Sequence, residues 1–169
     1  MQKYIFLDID GVLSPERLKK QKEFDLEKLW GLAKKFEENK DLSVLVYLSN
    51  IICPHKVQLL KESIDKHNAK IVIHSSWLYF PGEEITFLIM KMFKLDYAFP
   101  EKWNVAEKEH RSKEYNILNY INNNNVSNYI VIDDEFISGI PEENQVNPNE
   151  EFGLVKEDYE RINSLINKN

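Results

Sequence analysis

Short runs of apolar residues alternate along the chain with longer segments in which apolar residues recur every three or four positions. The clearest runs are KYIFL at residues 3–7, KIVIHSSW at residues 70–77 and NYIVIDDE at residues 128–135. We predict a β-strand in each, because the runs are short and rich in β-branched and aromatic residues. Strands that alternate with helical segments are typical of a mostly parallel α/β sheet.

Five segments between or after these runs have the apolar spacing of an amphipathic helix. Asp25 is a candidate N-cap for the first helix, and Pro54 suits the first turn of the second. The fourth helix is predicted at residues 113–121. The residues predicted to face the core in the other four helices are Leu26, Leu29, Ala33 and Phe36; Val57, Leu60 and Ile64; Ile85, Leu88, Ile89 and Met92; and Val155, Tyr159, Ile162 and Ile166.

Three further apolar stretches are shorter or less regular. We predict a strand in SVLVYLSN at residues 43–50, a short strand in DYAF at residues 96–99 and a short edge strand around Val146. The asparagine tract at residues 122–125 is predicted to be a loop that ends a helix.

Polar side chains follow the ends of three predicted strands: Asp8 and Asp10, Ser75 and Ser76, and Asp133 and Asp134. Because the carboxyl ends of parallel strands meet at one edge of a sheet, we expect these side chains to lie together, with Lys113 nearby. Clustered carboxylates repel one another unless a cation joins them, and their hard oxygen ligands suit Mg²⁺. The sequence therefore predicts a Mg²⁺ site that also carries a hydroxyl and an ammonium group.

Composition limits the alternatives. A chain of 169 residues is long enough for one well-packed domain, and a formal net charge of -6 argues against DNA binding driven by overall charge. Cys53 is the only cysteine, which excludes an intramolecular disulfide and a cysteine-based zinc site. The sequence has no secretory signal and no apolar run long enough to span a bilayer, so we expect a soluble, cytoplasmic protein without a membrane partner.

The stretch LDIDGVLS at residues 7–14 resembles the first motif of the haloacid dehalogenase (HAD) superfamily of phosphatases. IVIHS resembles the second motif, Lys113 the third and YIVIDD the fourth, in the order of that superfamily. The segments HSSWL, RSKEYNILNYI, IVIDDE and GLVKEDYERINSLI further resemble the HAD domain found in Swiss-army-knife RNA repair proteins. The resemblance implies a three-layer Rossmann-like fold, with a mostly parallel sheet, helices on both faces and no large cap domain.

The resemblance also implies roles for individual residues. Asp8 would be the nucleophile that forms an aspartyl-phosphate, and Asp10 would act as general acid and then as general base. The groups that would bind the phosphate are Ser75, Lys113 and Gly11. Mg²⁺ would be held by Asp8, the backbone carbonyl of Asp10, Asp133 and Asp134.

Several alternatives stay open at this stage. Ser49 also ends an apolar run and competes with Ser75, and Arg111 competes with Lys113. His74 is expected to be a strand residue and not an acid or base, and Trp77 to pack and not to stack on a base. The receiver domain of response regulators also combines a carboxylate cluster with a hydroxyl and a lysine, but its motifs come in a different order, so we reject that alternative.

The expected activity is that of a hydrolase acting on a phosphate monoester. An open site suits a phosphorylated nucleic-acid end, and a phosphorylated small molecule such as a nucleotide is the other substrate class. The alternative is a HAD-like module that binds phosphate or a protein without catalysis. We expect one domain over residues 1–169, with residues 12–52 as a candidate flap or small cap insertion whose cluster of lysines and arginine is a solvated face.

Overall fold

The computed structural model of the protein describes residues 1–105 and 112–168. Four parallel strands form one sheet in the order β2-β1-β3-β4. Their bounds are Lys3–Leu7 for β1, Ala69–Ile73 for β2, Tyr129–Ile132 for β3 and Gln145–Val146 for β4. The three strong strands and the edge strand around Val146 that the sequence predicts are therefore confirmed.

Seven α-helices connect or follow these strands in the part of the chain that the structure describes. Short 3₁₀ turns follow β2, precede β4 and lie after α5, at Ser76–Leu78, Glu142–Asn144 and Asp96–Ala98. The helices are α1 (Glu16–Gln21), α2 (Leu26–Asn39), α3 (Ser43–Ser49), α4 (Pro54–His67), α5 (Glu83–Met92), α6 (Lys113–Asn123) and α7 (Lys156–Lys168).

Helices cover both faces of the sheet, as expected of a Rossmann-like three-layer fold without a cap domain over the described residues. On one face the Phe6 ring of β1 packs edge-on against Tyr120 of α6, with ring centroids 5.5 Å apart. Helices α4 and α7 pack against each other and against β2 and β3. β1 is a central strand because it pairs with β2 on one side and with β3 on the other. Its residues Ile5, Phe6 and Leu7 are fully buried, as expected of a strand covered on both faces.

The local signals for the first two long helices are confirmed. The Asp25 carboxylate accepts hydrogen bonds from the backbone N–H groups of Glu27 and Lys28, at 2.8 and 3.2 Å, and so caps α2. Pro54 is the first residue of α4. Within the described residues, no helix combines the length and the apolar character needed to cross a membrane.

The strand predicted at residues 43–50 is wrong, because Ser43–Ser49 form helix α3. Val44, Leu45 and Leu48 are buried and lie on one side of this helix. A short apolar run has no periodicity that separates a buried strand from a buried helix, so packing against α2 and α5 decides its conformation. The short strand predicted at residues 96–99 is also wrong, since a 3₁₀ turn forms there.

Two residues predicted to face the core are exposed instead. Leu26 is 60% exposed and Met92 is 50% exposed. Leu26 is the first residue of α2 and Met92 is the last residue of α5. Apolar spacing identifies the face of a helix that is buried, but it does not show how far along the helix the neighbouring elements reach.

Candidate active site

Three carboxylates meet at the carboxyl ends of β1 and β3. Asp8 follows β1, and its backbone N–H donates to the carbonyl oxygen of Ile132 at 2.9 Å, which fixes the two strand ends side by side. One oxygen each from Asp8, Asp133 and Asp134 lies within 4.8 Å of the others. The strand-end acids that the sequence singles out in these two runs are thus brought together, with the exception of Asp10.

Lys113 is the first residue of α6, and Ser112 caps that helix by accepting a hydrogen bond from the N–H of Tyr115. The Lys113 ammonium lies 2.5 Å from Asp8 Oδ2 and 2.9 Å from Asp133 Oδ2. Burial alone would lower the pKa of Lys113, but the negative charges of Asp8 and Asp133 outweigh burial and raise it. Lys113 therefore remains a cation at every physiological pH.

Asp134 lies directly against the backbone of the loop after β1. A Cβ atom at Gly11 would come within 2.3 Å of Asp134 Cγ, and Gly11 has a φ of +64°. Both facts require glycine at this position, because a side chain would displace the carboxylate and strain the backbone. Burial, followed by the charges of Asp133 and Asp8, raises the pKa of Asp134 to about 6.

Asp133 is the most enclosed member of the cluster, with a fully buried side chain. Its Oδ1 accepts a hydrogen bond from the backbone N–H of Glu135 at 2.9 Å. Burial is the main reason that its pKa is raised, and the neighbouring charge of Asp8 adds to the effect. His74 Nδ1 lies 3.5 Å from Asp133 Oδ2, and burial of the His74 ring lowers its pKa, which favours the neutral imidazole.

Asp10 points to different partners from those of Asp8. Its Oδ1 lies 2.8 Å from the ammonium of Lys19 on α1, and its Oδ2 accepts a hydrogen bond from the Trp77 indole N–H at 2.9 Å. Burial alone would lower the pKa of Lys19, but the charges of Asp10 and Glu16 outweigh burial and raise it. The sequence predicts neither contact: the cluster of lysines and arginine in residues 12–52, which includes Lys19, was expected to be a solvated face. Trp77 was expected to pack, and it is buried as expected, but its hydrogen bond to Asp10 was not foreseen.

The strand-end hydroxyls lie beside the acids. The backbone N–H of His74 donates to the carbonyl oxygen of Leu7 at 3.1 Å, so the end of β2 lies next to the end of β1. Ser75, the next residue, is buried and caps the 3₁₀ turn at Ser76–Leu78 by accepting from the N–H of Trp77.

The competing candidates are placed differently. Ser49 lies on helix α3, where its hydroxyl donates to the carbonyl oxygen of Val46 at 2.8 Å. That helix leaves Ser49 without the strand-end position that made it a candidate. Arg111 lies outside the described residues.

The donor set fits a hard divalent cation. Three carboxylates share this space with one ammonium group, so the cluster carries excess negative charge when all three acids are ionised. Burial, together with this excess of negative charge, raises the pKa of Asp133 and that of Asp134. Mg²⁺ binds carboxylate oxygens and would compensate the remaining charge, so Asp8, Asp133 and Asp134 are suitable ligands for it.

A family model described as the HAD domain in Swiss Army Knife RNA repair proteins matches residues 4–159. That range contains all of the carboxylates described above, as well as Ser75 and Lys113. No curated protein and no solved structure matches the chain significantly.

Proposed function

The chain belongs to the family of HAD domains in Swiss Army Knife RNA repair proteins, and on that premise we propose that it hydrolyses a phosphate monoester through an aspartyl-phosphate on Asp8. The family supports a HAD-type phosphohydrolase in general. Members of the superfamily generally use Mg²⁺. The dependence on Mg²⁺, the covalent intermediate and the substrate are the parts that we add.

One observation carries the proposal: two carboxylates of the loop after β1 have separate sets of partners. Asp8 contacts the Lys113 ammonium, whereas Asp10 contacts Lys19 and Trp77. Two acids with one role would share one environment. Different environments suit two groups that act at opposite ends of the bond that breaks: a nucleophile that attacks phosphorus and an acid that protonates the leaving oxygen.

Asp8 supplies the nucleophile. Its Oδ1 accepts a hydrogen bond from the N–H of Ile9 at 2.7 Å, and Lys113 lies on Oδ2, so the carboxylate is fixed in orientation before substrate binds. Attack of a carboxylate oxygen on phosphorus forms the new P–O bond as the bond to the leaving oxygen breaks. Splitting one displacement into two lowers each barrier.

Asp10 moves the proton in both steps. In the first step Asp10, in its protonated form, donates that proton to the leaving oxygen, which departs as an alcohol and leaves Asp10 as a carboxylate. In the second step it accepts a proton from water as the water oxygen attacks phosphorus and the bond to Asp8 breaks. Inorganic phosphate is released, Asp8 is again a free carboxylate, and Asp10 again carries a proton for the next turnover.

Lys113 and Ser75 bind the phosphoryl oxygens in this scheme. The Lys113 ammonium offsets negative charge as it redistributes in the transition state, and the Ser75 hydroxyl donates a hydrogen bond. Mg²⁺ held by Asp8, Asp133 and Asp134, together with the backbone carbonyl of Asp10, would supply further compensation of phosphate charge when bound. Gly11 leaves space for the Asp134 carboxylate at the site, and its part in binding phosphate stays a prediction.

The test is hydrolysis of p-nitrophenyl phosphate with added Mg²⁺. We expect turnover that is lost with EDTA, restored by excess Mg²⁺ and abolished in Asp8→Asn. Asp65→Asn is the matched control, because Asp65 lies near the C-terminal end of α4 and contacts Tyr97. Phosphate binding without hydrolysis in the wild-type protein would contradict the proposal and favour a non-catalytic binding module.

The substrate class is part of the same proposal. A phosphorylated nucleic-acid end and a phosphorylated small molecule both offer a phosphate monoester. The described residues contain no cap domain that would block the larger of these two substrates. A screen of phosphorylated metabolites beside phosphorylated oligonucleotides separates these classes.

A further inference from the structure

A cavity of about 820 Å³ opens beside Asp10, between the turn that follows β2 and the segment that joins α1 to α2. Its apolar lining residues are Trp77 and Phe80, which follow β2, and Phe24 and Leu26, which lie between α1 and the start of α2. Its volume is in the range of cavities that hold small organic ligands.

The position of this cavity indicates which part of the substrate it would hold. Asp10 lines it, whereas Asp8, Lys113, Asp133 and Asp134 do not. If Asp10 protonates the leaving oxygen, as the proposed function requires, the group attached to that oxygen must lie on the Asp10 side. The cavity is therefore placed to hold the leaving group, while the phosphate lies at the carboxylate cluster.

The aromatic residues of the cavity wall are held in place from outside. Phe80 stacks on Trp30 with ring centroids 4.2 Å apart and an interplanar angle of 22°. Phe24 stacks on Tyr47 with centroids 5.7 Å apart and an angle of 20°. Neither Trp30 nor Tyr47 lines the cavity. A wall that is fixed in this way can bind a flat aromatic group with little loss of side-chain freedom.

The charges around the cavity disfavour a leaving group that carries its own negative charge. Lys19 is paired with Asp10 and Glu16, and Lys20 is paired with Glu151. Glu23 and Asp25 add two further carboxylates to the lining. Both lysines are thus already compensated, and the acids are acceptors for N–H groups and not partners for phosphate.

We propose that this cavity binds a nucleoside leaving group, with the base against the aromatic wall, so that the substrate is a nucleoside monophosphate and not the phosphorylated end of a polynucleotide. This inference rests on the proposed function for the position of the leaving oxygen. A nucleobase has a flat apolar face that can stack on the aromatic wall. It also has N–H groups that can donate hydrogen bonds to the carboxylates. A polynucleotide would carry phosphodiester charges into a lining with excess negative charge.

The experiment measures binding to Asp8→Asn protein in Mg²⁺ by isothermal titration calorimetry, because this variant leaves the ligand intact. The ligands are adenosine 5′-monophosphate, adenosine 3′-monophosphate, ribose 5-phosphate and an octanucleotide phosphorylated at its 5′ or 3′ end. We expect at least one adenosine monophosphate to bind about tenfold or more tightly than ribose 5-phosphate. We expect both octanucleotides to bind more weakly than that nucleotide.

The aromatic wall is tested by two variants made in the same Asp8→Asn background, Phe80→Leu and Phe24→Leu, which keep an apolar side chain and remove the ring. Each should reduce the preference for the nucleotide over ribose 5-phosphate. Phe99→Leu is the matched control, since Phe99 stacks on Trp103 away from the cavity. A thermal melt of each variant confirms that it folds.

Two results would overturn the inference. Equal affinities for adenosine monophosphates and ribose 5-phosphate would show that the base is not bound, and tighter binding of an octanucleotide would assign the cavity to a polynucleotide. The proposed function fails separately, if the wild-type protein hydrolyses neither these ligands nor p-nitrophenyl phosphate. The calorimetric comparison needs no turnover and still decides what the cavity binds.

Discussion

Asp133 is the residue on which the metal assignment depends most. Its carboxylate contacts Lys113, lies in the three-carboxylate cluster and is fully buried. We predict that Asp133→Asn loses most of the rise in melting temperature that Mg²⁺ gives the wild-type protein, because one charged ligand is removed. In EDTA the variant should melt at or above the wild-type temperature, since a source of carboxylate repulsion is gone. An unchanged Mg²⁺-induced shift would contradict the ligand assignment.

Ser75 and Ser49 give a second prediction, on the phosphate-binding hydroxyl. Ser75 is buried at the end of β2, whereas the Ser49 hydroxyl is bonded to the backbone of its own helix. Ser75→Ala should lower kcat on p-nitrophenyl phosphate by about 10²-fold, the usual loss for one donor to a developing oxyanion. Ser49→Ala should stay close to the wild-type rate. The reverse order of sensitivity would move the phosphate-binding hydroxyl to α3.

The sequence indicates the acids of this site but not all of their partners. Asp8, Asp133 and Asp134 could be predicted because each follows an apolar run, and strand ends of a parallel sheet meet at one edge. Lys19 could not, because its contact with Asp10 depends on how α1 lies over the loop after β1. A lysine in a polar helical segment looks the same in sequence whether it is solvated or paired.

Helix α1 acts on the proposed chemistry through the contact between Lys19 and Asp10. Lys19 and the Trp77 indole hold the two oxygens of Asp10, so we infer that they orient the proton-transfer group. Lys19→Met should lower kcat/KM for an alkyl phosphate more than for p-nitrophenyl phosphate, because p-nitrophenolate leaves with little protonation.

Lys34→Met is the control for that prediction. Lys34 lies on α2, does not line the cavity beside Asp10, is exposed and pairs with Glu38. It should change neither rate appreciably. Equal losses for the two substrates in Lys19→Met would show that Lys19 supports the fold or binds substrate and does not act through Asp10.

Helix α3 shows why element type was harder to predict than element position. The apolar run at residues 43–50 was recognised as a buried element, and Val44, Leu45 and Leu48 are indeed buried. Its conformation follows from contacts with α2, which precedes it, and with the more distant α5, and neither contact changes its local apolar pattern. Strands β1 and β3 were easier, because the sheet buries them on both faces and they read as continuous apolar runs.

The stability of the whole molecule should depend on pH through the carboxylate cluster when no metal is present. The pKa of Asp134 is raised from 3.8 to about 6, so between these values the folded protein holds this proton more tightly than the unfolded chain does. The free energy of unfolding contributed by Asp134 therefore falls as pH rises through that window, and the loss is complete above it.

Asp134→Asn removes that titration and gives a measurable difference. We predict that, in EDTA, the free energy of unfolding of the variant minus that of the wild-type protein increases as pH rises from about 4 to about 6. Above this range the difference should stay constant. Urea unfolding of both proteins across this range measures the difference. A difference that is constant with pH would contradict the environment assigned to Asp134.

The central claim is that Asp8 forms the covalent intermediate and Asp10 moves the protons. The most direct measurement is rapid acid quench of the enzyme during turnover of p-nitrophenyl phosphate, with mass spectrometry of the protein and hydroxylamine as a test for an acyl-phosphate. We predict that Asp10→Asn releases a burst of p-nitrophenolate near one equivalent of enzyme and accumulates hydroxylamine-labile phosphate on Asp8. Its first step survives with this leaving group, whereas its second step loses the general base and slows by about 10² to 10⁴. Asp8→Asn should show no burst and no phosphoenzyme. A burst in Asp8→Asn, or equal loss of both steps in Asp10→Asn, would contradict the division of roles between the two aspartates.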